Sequence, residues 1–134
     1  MEKLDLTSFE KALNSLKEVI EVYNSDKKNL ITRDSMIQRY EYTYSLALKM
    51  IKRFFSLGAF VENVEGMTFN EMVRQANKMS LLKSNLEKWN DFRIMRNLTS
   101  HTYDEKVALN VVEIIPEFSD EAEFLLNKLK ERIS

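Results

Sequence analysis

Chemistry in this 134-residue chain centres on His101, with Arg96 five residues before it and Tyr103 two after. They lie in the string Arg96-Asn97-Leu98-Thr99-Ser100-His101-Thr102-Tyr103-Asp104-Glu105. His101 is the only histidine, and an imidazole gives and takes protons near neutral pH, so it is the natural general acid or base. A guanidinium grips phosphate through parallel N–H bonds, which makes Arg96 the natural phosphate clamp. Asn97 can orient the imidazole or donate to a phosphate, and the Tyr103 hydroxyl can bond a phosphate. On one continuous helix Arg96 and His101 would stand about 140° apart and would not face one another. The seven residues Asn97 to Tyr103 carry no formal charge and mostly hydrogen-bond, a composition that competes with helix and favours a turn. A helix that ends near Thr99 lets the chain swing His101 into the same cleft as Arg96. On the residues alone, the plainer reading is an ordinary helix end with an exposed His and an Arg nearby.

Composition narrows the alternatives. Lys plus Arg is 20 and Asp plus Glu is 21, a net charge of -1, which excludes a generally basic nucleic-acid binder but leaves a local basic face open. With no Cys, disulfides, Cys-based zinc sites and thiol nucleophiles are excluded. One His removes any zinc site built from two histidines of one chain, and no metal or other cofactor is expected. Gly58 and Gly66 are the only glycines, so no phosphate-cradling loop can be written. The longest run without a charged residue is eight, Phe54 to Val61, too short to span a membrane. The charged start MEKLDLTSFEK is unlike a signal peptide. The expectation is a soluble, cytoplasmic single domain over residues 1–134.

The elements that must position the motif read as helices. Leu6, Phe9, Leu13, Leu16, Ile20 and Tyr23 mark one face of a first helix, with Thr7 and Glu10 as a capping box. After the polar connector Asn24 to Asn29, a second helix runs from about Asp34 with Ile37, Tyr40, Tyr44, Leu48, Ile51 and Phe55 in register. Gly58 suits its C-terminal cap. Thr68 with Glu71 and Ser84 with Glu87 offer capping boxes for a third and a fourth helix. Asp104 caps a fifth, which Pro116 should end or kink. The expected fold is all-α: an antiparallel up-and-down bundle of about five helices, a four-helix core plus a kinked C-terminal helix.

Charge is uneven along this bundle. Lys27 to Arg53 holds seven cations against Asp34 and Glu41, whereas Asp104 to Glu123 holds seven anions against Lys106. Tyr40, Tyr42 and Tyr44 interleave the basic stretch, where rings can stack on bases. Tyr40 and Tyr44 share the apolar stripe and belong to the core. Tyr42 points elsewhere, and with Arg39 it is a candidate to stack a base.

The ten-residue string around His101 resembles the signature of the HEPN superfamily, in particular its nucleotidyltransferase substrate-binding branch related to the HepT toxins. That branch carries Arg, four residues, His, one residue, Tyr, which Arg96, His101 and Tyr103 fill. Ile37 to Tyr44, continuing through Lys49, is similar to the family's second helix with its Arg-aromatic-Glu, here Arg39-Tyr40-Glu41. Trp89 precedes the motif at family-like spacing. Leu48 stands where a Trp is expected, and Met95 where an Asp is common.

The resemblance implies a homodimer with the motif near a shared cleft, and a small nucleotidyltransferase partner encoded by an adjacent gene in what look like toxin–antitoxin pairs. Three functional readings are weighed, the first two implied by the resemblance. The first is a non-catalytic or weakly catalytic partner subunit that binds nucleotide or RNA through Arg96, Asn97, His101 and Tyr103, with Arg39 and Tyr42. The second is a metal-independent ribonuclease with Arg96 and His101 as catalytic residues, neutralised by adenylylation of Tyr103. The third is a dimer scaffold without cleft chemistry. Cleavage needs a base for the 2′-hydroxyl, an acid for the leaving oxygen and positive charge on the phosphorane. One His per chain does not readily serve as both, whereas a two-fold dimer brings two.

Overall fold

The computed structural model describes residues 3–134. Five helices follow one another: α1 (Thr7–Ser25), α2 (Leu30–Leu57), α3 (Phe69–Lys78), α4 (Leu86–Leu98) and α5 (Glu105–Ile133), with a single 3-10 turn, Thr99–His101, between the last two. The expected all-α bundle is what forms. α1, α2, α4 and α5 make the core bundle, and the short α3 packs against α4 and α2. None of the helices is long and apolar enough to cross a membrane among the described residues.

The stripes read from spacing are the faces that are buried. Phe9, Leu13 and Leu16 of α1 meet Tyr40, Ile51 and Phe55 of α2 in one core with Phe118 and Leu125 of α5. At its centre is an aromatic cluster. The Phe118 ring lies edge-on to Tyr40 at 5.2 Å, to Phe92 at 5.3 Å and to Trp89 at 6.2 Å. Such edge-to-face pairs add to the burial of the rings. Tyr40, fully buried, donates its hydroxyl to the Phe92 carbonyl at 2.6 Å, so the one polar atom of this core ring is satisfied. That bond and the packing around it fix α4 against α2, and the Arg96–His101 segment leaves directly from α4.

Several boundaries differ from the sequence expectation, each for a local reason. α1 is not capped by Thr7; Thr7 is its first residue, and the Asp5 carboxylate accepts its N–H at 2.9 Å. α2 begins at Leu30 rather than near Asp34, because the Asn29 side chain accepts the Thr32 N–H while Leu30 and Ile31 are exposed and leave no periodic trace. Asn85, not Ser84, caps α4 by accepting the Lys88 N–H. Thr68 and Asp104 cap α3 and α5 as expected. Pro116 does not end α5, which continues through it. Gly58 caps the end of α2 as expected, while the left-handed residue is Ala59, φ 53°, one position past it. The Phe60 N–H returns to the Phe55 carbonyl and the Ala59 N–H to that of Ser56, the paired bonds of a Schellman cap. A Cβ at Gly58 would overlap the Phe60 ring and displace it from its stack on Phe54.

Candidate functional site

The hydroxyl of Thr99 ends α4. It donates to the Arg96 carbonyl at 2.8 Å, supplying a competing partner for the last turn. The chain then makes one 3-10 turn, and the Asp104 N–H closes on the His101 carbonyl at 3.1 Å. Asp104 next turns its carboxylate onto the Lys106 and Val107 N–H groups and starts α5. His101 is thus presented on a rigid corner between a C-terminal and an N-terminal cap.

A bidentate ion pair fastens this corner to α2. Arg33 Nη1 and Nη2 donate to Glu105 Oε1 and Oε2 at 2.6 and 3.0 Å. The hydrogen bond from Arg33 holds the Glu105 carboxyl below the usual carboxylate range, and the same bond raises the Arg33 guanidinium. Arg33 is itself buried, so the fork is held rigid on the α2 side.

Around this corner the candidate residues separate into two groups. His101 and Tyr103 are both exposed, Tyr103 at 86%, and the Tyr103 hydroxyl stands 3.5 Å from His101 Nδ1. Arg96, one-third exposed, directs Nη1 to Thr99 Oγ1 at 3.3 Å and to Glu41 Oε2 at 3.7 Å, while its buried Nε has no partner. No hydrogen bond joins Arg96 to His101; the turn brings the imidazole beside Tyr103 instead. Tyr103 and Glu41 line one cleft of about 240 Å3 with Asp34, Gln38, Thr99 and Thr102. Asn97 opens on the other side of α4, into a groove lined by Leu48, Lys52 and Arg93.

Arg39 and Tyr42 do not join this group. Arg39 Nη1 donates to the Ser15 carbonyl at 2.8 Å, and the Tyr42 hydroxyl pairs with Ser15 Oγ at 2.9 Å. Their polar ends therefore face α1, about 100° or more around α2 from Glu41. Tyr40 and Tyr44 are core, as their stripe positions implied. Burial pushes the Tyr44 hydroxyl up to about 12 and the Tyr40 hydroxyl higher still.

Sequence reasoning assigned no role to Glu41, Arg33 or Glu105. Glu41 was visible only as the last residue of the Arg39-Tyr40-Glu41 string. Arg33 and Glu105, 72 positions apart, carry no local signal of their pairing.

Comparison with known proteins agrees with this architecture. Residues 4–131 match the family described as nucleotidyltransferase substrate binding protein like. A Haemophilus influenzae protein named probable ribonuclease HepT is 34% identical over 140 residues, covering 98% of this chain and 95% of that protein. A solved Haemophilus influenzae structure, described as revealing the fold of a substrate binding domain of a nucleotidyltransferase, superposes with a TM-score of 0.86 at 31% identity, over 94% of this chain and 99% of that one. A crystal structure of a Thermus thermophilus protein gives a TM-score of 0.74 at 28% identity, over 90% and 98% of the two chains. This chain belongs to the nucleotidyltransferase substrate-binding protein-like family.

Proposed function

We propose that this chain is the ribonuclease member of a two-protein system, acting as a homodimer on RNA and controlled by a separate nucleotidyltransferase at Tyr103. The observation that carries the reading is the exposed His101–Tyr103 pair on its fastened corner. The imidazole is open to solvent, Nδ1 faces the Tyr103 hydroxyl, and Nε2 has no partner among the described residues. In the reaction His101 takes the 2′-hydroxyl proton, and the 2′-oxygen attacks phosphorus. The phosphorus–O5′ bond then breaks, leaving a 2′,3′-cyclic phosphate and a 5′-hydroxyl. His101 of the second copy gives the proton to the departing oxygen. Arg96 steadies the phosphorane once phosphate competes with Glu41 for the guanidinium. The Haemophilus influenzae relative named a probable ribonuclease supports the assignment at full-length coverage.

The substrate-binding reading has one observation in its favour: each protomer has a single imidazole, one short of an acid–base pair, whereas holding a nucleotide phosphate needs no such pair. The experiment that separates the two uses the dimer purified without its partner, incubated with RNA in EDTA. Cyclic-phosphate ends support cleavage; nucleotide binding without any cut over hours supports the substrate-binding role. Sedimentation at micromolar concentration is expected to give twice the mass of one chain, and a clean monomer counts against the shared site.

A further inference from the structure

One face of α2 lines three hollows in succession, starting at the site. The first is the Tyr103 cleft with Asp34 and Glu41. The second, about 300 Å3, lies between Leu48 and Lys52 on one side and Phe69, Arg93 and Asn97 on the other. The third, about 600 Å3, continues past Lys52 to Lys49 and Arg53. Tyr44, Leu48 and Lys52 line both of these last two, so they are one groove. Ser45, Leu48 and Lys52 line the groove, and Glu41 precedes them on the same face of α2 at the Tyr103 cleft, roughly 18 Å along the helix from Arg53.

The charge changes sign along that face. Two carboxylates stand at the Tyr103 end. Beyond them Lys49, Lys52, Arg53 and Arg93 are all exposed, and none forms an ion pair with a carboxylate among the described residues. Glu65 is the one acid lining the far hollow. Arg93 lies over the Phe69 ring, 4.9 Å from its centroid, and Asn97 follows Arg93 by one helical turn on the same side of α4. A single nucleic-acid strand asks for this combination: cations for successive phosphates and a ring-and-guanidinium platform for a base.

We propose that this groove holds the RNA strand flanking the scissile phosphate. Lys49, Lys52 and Arg53 take its phosphates, the Arg93–Phe69 platform takes a base, and Asn97 leads the strand onto Arg96 and His101. The inference rests on the ribonuclease reading and adds a path and a direction to it. Asp34 and Glu41 repel phosphate beyond Tyr103, so the strand occupies the basic side of the corner and is about four nucleotides long, the low end for single-strand sites. An acidic protein surface would use the same cations but has no use for a platform set in a concave floor.

The test uses fluorescein-labelled single-stranded RNA of 4 and 12 nucleotides with the full-length protein. Binding is followed by anisotropy in a His101→Ala background so that the probe stays intact. Changing Lys49, Lys52 and Arg53 together to Ala is expected to weaken the 12-mer at least about tenfold and to lower the salt slope by about 2, since each single-strand phosphate contact contributes about 0.7. Phe69→Leu is expected to weaken binding with the salt slope unchanged. All three cations are exposed, and a circular dichroism melt checks the fold; Lys52→Glu alone is the second variant if the triple one melts early. Unchanged affinity and slope in these variants overturn the groove, while RNA cleavage by the unsubstituted protein leaves the ribonuclease reading standing. An unsubstituted protein that neither cuts nor binds the 12-mer removes both. A triple variant that binds RNA normally but no longer co-purifies with the nucleotidyltransferase makes the groove a protein-docking surface and overturns the proposal.

Discussion

The Tyr103 hydroxyl stands 3.5 Å from Nδ1 of His101, on a corner where both rings face solvent. A group added to that oxygen necessarily crowds the imidazole, and a nucleotidyl group adds negative charge where RNA phosphate would enter. On the proposed function, co-expression with a separate small nucleotidyltransferase in the presence of ATP is therefore expected to add nucleotide mass at Tyr103 and to stop RNA cleavage. Tyr103→Phe should stay unmodified and active under the same conditions. Intact-mass spectrometry paired with a cleavage assay checks both; a modified protein that still cuts RNA contradicts the account.

The Arg33–Glu105 fork fastens the His101 corner to α2, and its strength depends on an ionised Glu105. The Glu105 value is lower folded than unfolded, so its contribution is fully present above the ordinary carboxylate value of about 4.3. It is lost as pH falls through the lower folded value. Glu105→Gln should lower the melting temperature at pH 7 and narrow the gap to the parent protein as pH drops below 4. Hydrogen exchange at residues 99–104 should rise in the same variant. A gap that stays constant across this range would show that the fork does not hold the corner.

Alkali acts on the core from the other side. Burial raises Tyr40 and Tyr44, Tyr44 to about 12, against about 10 in the unfolded chain. The neutral, buried hydroxyls stabilise fully below pH 10, and that contribution is lost as pH rises toward 12. The Tyr40→Phe, Tyr44→Phe double variant should lose less stability between pH 10 and 12 than the parent. Tyr40→Phe alone should cost about 1 kcal/mol at neutral pH, for the bond to the Phe92 carbonyl. Urea titrations at a series of pH values measure both effects.

The end of α2 has room for improvement at one position and none at its neighbour. Ala59 holds a positive φ, so Ala59→Gly should stabilise by about 1 kcal/mol. Gly58→Ala should destabilise by about 1 kcal/mol, because its Cβ displaces the Phe60 ring from its stack on Phe54. Thermal melts that reverse this order would refute the cap assignment.

Helical periodicity was enough to read the fold, because most stripe positions from Phe9 to Leu129 are buried against another stripe and the rest, such as Ile20 and Leu48, are half-buried on the same core. Helix ends were less legible. Asn29 caps a helix whose first residues, Leu30 and Ile31, are apolar but exposed and off the buried stripe, Asn85 stands beside Ser84 as a second candidate cap, and the left-handed residue at the end of α2 is an alanine rather than the glycine beside it. In the site, the break after α4 was legible from the polar run Asn97 to Tyr103. The partners of Arg96 and Glu105 were not: Glu41 and Arg33 lie on α2, far away in sequence. Arg39 and Tyr42 carry suitable side chains, but helical phase turns them toward Ser15.

The most direct measurement compares RNA cleavage by the unsubstituted protein, purified on its own, with cleavage by His101→Ala and Arg96→Ala, all in EDTA. His101→Ala should slow cutting about 100-fold or more as the acid–base group is lost, with its melting temperature unchanged because the imidazole lies outside the core. Arg96→Ala should lose about 100-fold through the phosphorane and weaken RNA binding as well. Cleavage by the unsubstituted protein that survives EDTA and disappears in His101→Ala is the result the account predicts. Cleavage that persists undiminished in a folded His101→Ala protein would contradict it.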